Sequence, residues 1–544
     1  MLPYINIPFE FLSGVVGASP DELKLIFSFL LSYPLSGLLK RVPDARPDYK
    51  NLFIIGGGLF YLIGLFSLWT GIRTLVISSA GTYALAYFLR SSAYMPWIAF
   101  VFLMGHMAVN QLHRQFENDP AVVDITGAQM VLVMKLSAFA WNVFDGTLPD
   151  DQLSDYQKER RIVKLPGFLD YAGYVLFFPS LFAGPAFDYN EYRGWVDCSM
   201  FDLPATIDPA KKPLTRKKRK IPRSGTPAMW KMGSGLLWIL AFLNLSKWYS
   251  PDVIFTDKFL TYGFLRRVVV LHLVGFTTRT KYYGVWFLAE GSCILAGLGY
   301  NGVDPATGRV SWDRLQNISP WGVEFAQNSR AYLGNWNMNT NKWLRYYIYL
   351  RVTPRNKKPG FRASMATFVT SAFWHGFYPG YYLAFMLASF VQTAAKHCRR
   401  NVRPFFLDPV TQKPLPSKKY YDIASWIATQ STFSFVAAPF ILLGFKESIE
   451  AWTRVYYYAI IATFASLAVF ASPAKAYMRR SLDKRARGSG PRISRTTSTD
   501  SIEGVSRTPT LGISTDPGKD FDEAMRELQG EVDKARKDFA KKDA

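Results

Sequence analysis

The 544-residue sequence has little cysteine and little histidine, with three of the first and five of the second. Cys198, Cys293 and Cys398 are too widely spaced for a zinc site or a disulfide framework. We therefore expect chemistry without a bound cofactor or metal. The first residues also lack a basic segment followed by an apolar run and a small-residue cleavage site, so no removable signal peptide is predicted.

Acidic residues are scarce relative to basic ones, and 41 Asp and Glu against 64 Lys and Arg give a formal charge of +23. The basic residues are scattered over short loops and the C-terminal end, and are densest at Lys211, Lys212 and 216–220. This distribution indicates cytoplasmic loops near anionic lipid and argues against nucleic acid as a partner. The sequence also has no internal repeat, which disfavours the inverted-repeat transporters.

Hydrophobic segments alternate with short loops from about residue 25 to residue 470. They cover residues 52–69, 72–89, 94–109, 236–242, 268–276, 285–298, 381–391, 433–445 and 456–470. Several reach the roughly 18 to 20 residues that a spanning helix needs, and the others must be buried, broken or re-entrant. The pattern predicts an all-α, polytopic helical membrane protein with about ten or eleven hydrophobic helices enclosing a catalytic chamber.

The composition changes once, near the C-terminal end. Residues 1–474 form one predicted membrane domain, and residues 475–544 form a charged tail that we expect to be largely disordered. Lys541 and Lys542 stand fourth and third from the end, as in the dilysine retrieval signal of endoplasmic-reticulum membrane proteins. This signal predicts a multi-pass protein of that membrane with a cytosolic tail; the alternative is an ordinary lysine-rich terminus.

His375 differs from the other histidines in its surroundings. Four polar residues share one predicted helix face at spacings of three, four and four, and they are Ser364, Thr367, Ser371 and His375. Helix-ending residues follow at Gly376, Pro379 and Gly380. A break in the backbone at membrane depth occurs only where the chain is surrounded by protein or lines a water-filled cavity. We therefore expect His375 to face a cavity or another helix instead of lipid. Alternatively, the hydroxyls bond back to the carbonyl one turn earlier and His375 is a core histidine.

A second polar segment covers residues 336–349. On a helix, Asn337, Thr340, Asn341 and Leu344 share one face, and an adjacent stripe contains Trp336, Trp343 and Tyr347. Such a helix is predicted to line a polar or amphiphilic cavity. An interfacial amphipathic helix is the alternative.

These segments carry a resemblance. Residues 374–381, Trp-His-Gly followed by three residues and Gly-Tyr, resemble the histidine motif of the membrane-bound O-acyltransferases, abbreviated MBOAT. Residues 336–345, Trp-Asn-x-x-Thr-x-x-Trp-Leu-Arg, resemble that family's asparagine motif. Residues 141–146 and 178–192 resemble its lysophospholipid branch, and the chain looks most like the broad-specificity lysophospholipid acyltransferases of fungi.

The resemblance implies transfer of a fatty acyl group from acyl-CoA to the free sn-2 hydroxyl of a lysophospholipid in the membrane. His375 is then the general base, and Asn337 orients the reactants or stabilises charge on the thioester oxygen. Acyl-CoA is a co-substrate, and the oligomeric state is unknown. The predicted substrate-binding residues are Trp336, Thr340, Trp343, Arg345, Ser371, Trp374, Tyr378, Tyr382 and Glu290. The residues predicted to meet the CoA phosphates are Arg345, Arg351, Arg355, Lys357, Lys358 and Arg362.

Two other functions stay open. Within the same family the acceptor could be diacylglycerol, a sterol or a protein. A lipid transporter or scramblase would also have many helices and intramembrane polar residues, but it would not release free CoA thiol from acyl-CoA.

Overall fold

The structure is a computed structural model, and it describes residues 4–117, 123–204, 207–353 and 361–487. Across these ranges the chain forms helices and loops, with three isolated bridges and no extended strand. The all-α prediction is confirmed.

The α-helices are named here in chain order. They are α1 Ile7–Val16, α2 Pro20–Leu39, α3 Pro47–Leu59, α4 Trp69–Phe88, α5 Met95–Glu117, α6 Thr126–Asp145, α7 Asp155–Arg160, α8 Phe168–Val175, α9 Tyr189–Val196, α10 Gly225–Leu245, α11 Asp257–Leu260, α12 Phe264–Ala296, α13 Pro320–Glu324, α14 Ser329–Gly334, α15 Met338–Trp343, α16 Phe361–His375, α17 Pro379–Asn401, α18 Lys418–Leu442, α19 Phe445–Arg454, α20 Tyr458–Ala471 and α21 Pro473–Arg487. The π-helical segments Phe60–Leu65 and Leu344–Tyr349 extend α3 and α15.

Four helices, α2, α5, α6 and α10, are long and apolar enough to cross a membrane, and α19 with α20, bent by 78°, makes a fifth candidate within the described ranges. This number is lower than the ten or eleven hydrophobic helices predicted. Several of the predicted segments are short, interrupted or charged: α3 changes to a π segment at Phe60, and α12 contains Arg266, Arg267, Arg279 and Lys281.

Three helices differ from the predicted segments, and one of them, α2, lies before the first predicted segment at residue 52. Residues 268–276 and 285–298 were predicted as separate, but they fall largely in the single 33-residue helix α12. Polar residues between them do not stop a helix, and no proline intervenes; the helix ends before Gly297, where φ is 104°. No predicted segment corresponds to α6, because Gln129, Lys135 and Asn142 interrupt its apolar run.

The described residues divide into two compact units. The first takes in the described residues of Met1–Lys247, Thr277–Ile318 and Trp374–Phe377, and the second takes in those of Trp248–Phe276, Ser319–Phe373 and the chain from Tyr378 onward. Each is described here by itself.

In the first unit, α6 packs against α4 and α5, and α3 packs against α8. Lys135 of α6 is 3% exposed, and its Nζ lies 4.4 Å from the ring centroids of both Tyr174 and Phe187. The ammonium group also donates to the carbonyl of Tyr174. The two ring faces and the carbonyl replace the water that this buried cation has lost.

In the second unit, α17 packs against α18 and α20. Gly380, near the start of α17, donates its N–H to the Leu443 carbonyl at 2.8 Å. A Cβ at this position would lie 2.1 Å from the Pro439 carbonyl oxygen, so the contact between α17 and the end of α18 requires glycine.

The predicted boundary between membrane domain and tail falls inside α21. Pro473 occupies the first turn, where its missing N–H costs nothing, and Ser472 Oγ accepts from the Ala474 N–H at 3.2 Å. Arg485 then donates to the Phe405 carbonyl at 2.9 Å, so helical structure continues to Arg487. The rest of the tail, with its terminal lysines, lies outside the described residues, and its disorder stays a prediction.

Candidate active site

The polar face of α16 includes both buried and partly exposed residues. Thr367 and Ser371 are buried, whereas Ser364 and His375 are half-buried. Thr367 Oγ1 donates to the Ala363 carbonyl at 2.7 Å. For Thr367 the structure therefore shows the alternative interpretation, in which the hydroxyl bonds to the carbonyl one turn earlier.

The helix break after His375 is confirmed. His375 is the last residue of α16. Gly376 follows with a backbone φ of 126°, which residues other than glycine rarely adopt. Tyr378 has extended dihedral angles, and α17 begins at Pro379. The imidazole thus lies at the end of a polar-faced helix and beside irregular backbone.

Trp374 is fixed at two points. Its indole Nε1 donates to the Met130 carbonyl at 3.0 Å, and its own carbonyl accepts from Gln111 Nε2 at 2.8 Å. The His375 ring lies edge-on to the Trp374 ring, with centroids 4.7 Å apart and an interplanar angle of 87°. Helices α5 and α6 therefore orient the peptide and the ring that adjoin His375.

Gln111 was not among the predicted site residues. It is 263 residues from Trp374 along the chain, and its side chain is buried. The available signal was an amide in an apolar helix, where a polar group is costly unless it has a partner. His106, five residues earlier, has a partner in Ser78, whose Oγ lies 2.9 Å from its Nδ1. Asn110 donates to Gln129 Oε1 of α6 at 2.9 Å.

The asparagine segment differs from its prediction. Asn337 adopts a left-handed conformation, with φ of 43° and ψ of 56°, and α15 begins only at Met338. Trp336 and Asn337 therefore lie outside the helix, and the predicted faces hold only from residue 338. Asparagine tolerates this conformation better than most residues because its side chain can hydrogen-bond locally.

Local hydrogen bonds fix this turn. Thr340 Oγ1 donates to Asn337 Oδ1 at 2.8 Å. Asn341 Nδ2 donates to the carbonyls of Leu333 and Trp336, at 2.6 and 2.8 Å. Because the Asn337 oxygen accepts from Thr340, the amide nitrogen is the group that Asn337 can use as a donor elsewhere.

The other predicted residues of this segment continue along it. Thr340 and Trp343 are buried, and Trp336 and Arg345 are half-buried. Arg345 lies in the π-helical segment, with its guanidinium 5.8 Å from the Tyr346 ring centroid. π-Helical turns inside helices are often found at functional sites.

Tyr378 and Tyr382 lie at the start of α17. The Tyr378 ring is edge-on to Tyr381, with centroids 6.1 Å apart, and Tyr382 is 36% exposed. Of the predicted phosphate-binding residues, Arg351 is half-buried and Arg362 is exposed. Arg355, Lys357 and Lys358 lie outside the described residues.

Glu290 has a defined partner. It is 1% exposed, and its Oε1 lies 2.8 Å from Lys231 Nζ, which joins α12 to α10. The Lys231 ammonium also lies 4.2 Å from the Phe287 ring centroid. These contacts give Glu290 a structural role, and its part in substrate binding stays a prediction.

The two further segments of the resemblance meet in the first unit. Asp188 accepts from Arg160 Nε at 2.9 Å and from Asn142 Nδ2 at 3.5 Å, and it begins α9 with a capping box closed by Glu191. A Cβ on Gly146 would lie 2.1 Å from the Ile162 carbonyl oxygen. Asn142 thus joins residues 141–146 to residues 178–192, and Gly146 allows the chain that precedes α8 to approach closely.

The predicted site residues divide between the units. Trp374, His375 and Glu290 belong to the first, and the asparagine segment, Ser371, Tyr378 and Tyr382 belong to the second. In the parts of the chain that the structure describes, no group of three or more His, Cys, Asp or Glu residues could hold a metal ion. Cofactor-free chemistry stays a prediction.

The helices and motifs together define a multi-pass membrane protein with a histidine at a helix break and an asparagine held in a tight turn. The chain belongs to the MBOAT, membrane-bound O-acyltransferase, family, whose model matches residues 121–438. It is therefore an acyltransferase of that family.

Three relatives illustrate the similarity. A lysophospholipid acyltransferase of Schizosaccharomyces pombe is 44% identical over 521 residues, which cover 95% of this chain and 99% of that protein. One of Saccharomyces cerevisiae is 45% identical over 465 residues, covering 84% and 75%. Lysophospholipid acyltransferase 1 of Arabidopsis thaliana is 29% identical over 469 residues, covering 85% and 97%.

Proposed function

We propose that the protein is a lysophospholipid acyltransferase that moves a fatty acyl group from acyl-CoA to the free sn-2 hydroxyl of a lysophospholipid. Family membership and the names of its relatives support this function. The observation that carries it is the position of His375, at the end of α16 beside a Trp374 that is hydrogen-bonded through both its indole and its carbonyl.

His375 acts as general base in this proposal. It takes the proton from the lysolipid hydroxyl while the oxygen attacks the thioester carbonyl; the C–S bond then breaks, and CoA leaves as the thiol after protonation. An imidazole suits this step because it exchanges a proton near neutral pH. Trp374 orients the imidazole by packing against it.

Asn337 supplies a hydrogen-bond donor to the thioester oxygen as negative charge develops on it. Thr340 holds the amide oxygen, which orients the amide nitrogen. A donor fixed before the reaction stabilises this charge more than a mobile one because it need not reorganise. Arg345, Arg351 and Arg362 are the described candidates for the CoA phosphates, since guanidinium groups bind phosphate bidentately. We further propose that the protein resides in the endoplasmic-reticulum membrane with its tail in the cytosol, because Lys541 and Lys542 resemble a dilysine retrieval signal.

The test measures free thiol from oleoyl-CoA with detergent-solubilised full-length protein, with and without lysophosphatidylcholine. Wild type is compared with His375→Ala and with His113→Ala, a control that removes an exposed histidine of α5. We expect lysolipid-dependent release in wild type and control, and its loss in His375→Ala at equal folded amount. Full activity of His375→Ala would show that another group removes the proton.

A lipid extract of the same reaction distinguishes the acceptors. Lysophosphatidylcholine should yield phosphatidylcholine, whereas diacylglycerol or a sterol should give no acylated product. If the protein releases no thiol but moves lipid between leaflets after reconstitution into vesicles, the transporter or scramblase alternative is correct.

A further inference from the structure

Positive charge is concentrated at one end of the second unit. Residues 396–422 contain seven Lys and Arg against two Asp, and residues 473–487 contain six against one. We call these two segments together the basic end. They include the C-terminal part of α17, the start of α18 and all of α21.

Contacts hold these segments together. The His397 ring of α17 stacks on Phe470 of α20, with centroids 5.3 Å apart. Arg485 of α21 donates to the Phe405 carbonyl at 2.9 Å, and its guanidinium lies 5.7 Å from the Phe405 ring centroid. The ends of α17 and α20 and the helix α21 therefore lie side by side.

Helix α21 begins where an apolar helix ends. Only Ser472 separates α21 from α20, and α20 belongs to the bent candidate span. A helix that begins where a span leaves the hydrocarbon region lies near the level of the lipid headgroups. Tyr477, 75% exposed on the first turns of α21, is the residue type that favours this level.

The two faces of α21 differ. Ala474, Met478, Leu482 and Arg485 are half-buried, at spacings of three and four. The outward face exposes Tyr477, Arg480 and Lys484, and Arg479 is exposed beside it. Contacts on one side thus leave cations on the other.

Neighbouring acids are engaged within their own turns. Asp408 accepts from the N–H groups of Val410 and Thr411, at 3.0 and 2.7 Å. Asp422 pairs with Lys418, whose Nζ lies 2.7 Å from the carboxylate. Neither is directed by these contacts to the outward face of α21. The one acid on α21 itself, Asp483, is exposed among the three cations Arg479, Arg480 and Lys484, so a net positive charge remains there and is suited to a partner outside the chain.

We propose that the outward face of α21 binds the headgroups of anionic phospholipids in the surrounding membrane, with Arg479, Arg480 and Lys484 providing the charge. Each such cation near an anionic leaflet contributes favourably, and salt screens the contribution. This inference does not depend on the reaction that the protein catalyses.

The test measures lipid selectivity at the surface of the full-length protein. The protein is reconstituted into phosphatidylcholine vesicles, and electron paramagnetic resonance gives the association of spin-labelled phosphatidylserine relative to spin-labelled phosphatidylcholine. The variant Arg479→Gln, Arg480→Gln, Lys484→Gln keeps good helix formers in α21. We expect wild type to prefer phosphatidylserine and the variant to lose at least about half of that preference, as should wild type at high salt.

Two matched variants serve as controls. Lys158→Gln, Lys164→Gln, Arg309→Gln removes equal charge from exposed positions of the first unit and should keep the wild-type preference. The variant Arg479→Lys, Arg480→Lys, Lys484→Arg keeps the charge of α21 and should also keep the wild-type preference for phosphatidylserine.

Three outcomes would overturn the proposal. An unchanged preference in the α21 Gln variant, or an equal loss in the first-unit control, would remove α21 as the site. Displacement of the spin-labelled phosphatidylserine by equimolar free CoA would show that the face binds nucleotide phosphate instead of lipid. Because the salt dependence is measured on wild type, the proposal stays testable even where a variant folds poorly.

Discussion

The side-chain nitrogen of Gln111 donates a 2.8 Å hydrogen bond to the carbonyl oxygen of Trp374, the residue immediately before His375. Both partners are buried. A buried carbonyl that loses its donor costs free energy, and the peptide that carries it moves to find another. The relationship makes Gln111 a positioning residue for His375, and it links α5 to the candidate active site.

We expect Gln111→Met to lower kcat for acyl transfer by about tenfold to a hundredfold while changing KM little, because a small displacement of a catalytic group costs rate more than binding. Thiol release at varied lysolipid and acyl-CoA concentrations measures both constants. Gln115→Met, one turn further along α5, is the control and should keep nearly wild-type kcat. Equal loss in both variants would indicate general damage to α5.

The left-handed backbone of Asn337 allows its side chain and its conformation to be tested separately. Asn337→Gly keeps the conformation at no steric cost, whereas Asn337→Ala pays roughly 1–2 kcal/mol for it. We expect both variants to lose most activity because both lack the amide, and the glycine variant to unfold at the higher temperature. Thermal unfolding in detergent and thiol release give the two readouts. Near-wild-type activity of Asn337→Gly would leave the residue only a backbone role.

Gly380 tests the close approach of α17 to α18. A methyl group there would lie 2.1 Å from the Pro439 carbonyl oxygen, so Gly380→Ala must displace backbone. We expect a loss of about 1–3 kcal/mol in the free energy of unfolding, seen as a lower unfolding temperature. Gly233→Ala on α10 is the control: nothing lies within 4 Å of the added methyl, and alanine favours a helix. An unchanged unfolding temperature for Gly380→Ala would mean that α17 moves freely.

Local patterns predicted the parts of the site that depend on local chemistry. Gly376 and Pro379 indicated the break after His375 because glycine and proline act on their own backbone. Apolar runs predicted helices such as α4, α5 and α20, because apolar composition is also a local property of the chain.

Features that depend on distant residues could not be predicted in this way. The partner of Trp374 is 263 residues away, and nothing near either residue indicates the other. Helix α6 was not predicted because Lys135 interrupts its apolar run. The rings that stabilise this buried cation belong to Tyr174 and Phe187, which sequence periodicity does not connect to Lys135. Asn337 could have continued a helix by composition, and only its left-handed dihedral angles show that it does not.

The ion pair of Glu290 and Lys231 separates a structural role from a role in substrate binding. Lys231→Met leaves a buried carboxylate without its cation, which costs about 3 kcal/mol or more. The double variant Lys231→Met, Glu290→Gln removes both charges and should recover most of that stability. Thermal unfolding of wild type, both single variants and the double variant gives the coupling between the two residues.

Activity of the double variant then decides the role of Glu290. If the carboxylate only joins α12 to α10, the double variant should regain thiol release together with stability, because no charge is needed at either position. If Glu290 binds substrate, the double variant should be stable but retain the raised KM of Glu290→Gln. Since Glu290 is 1% exposed and pairs with Lys231 at 2.8 Å, we expect activity to return with stability.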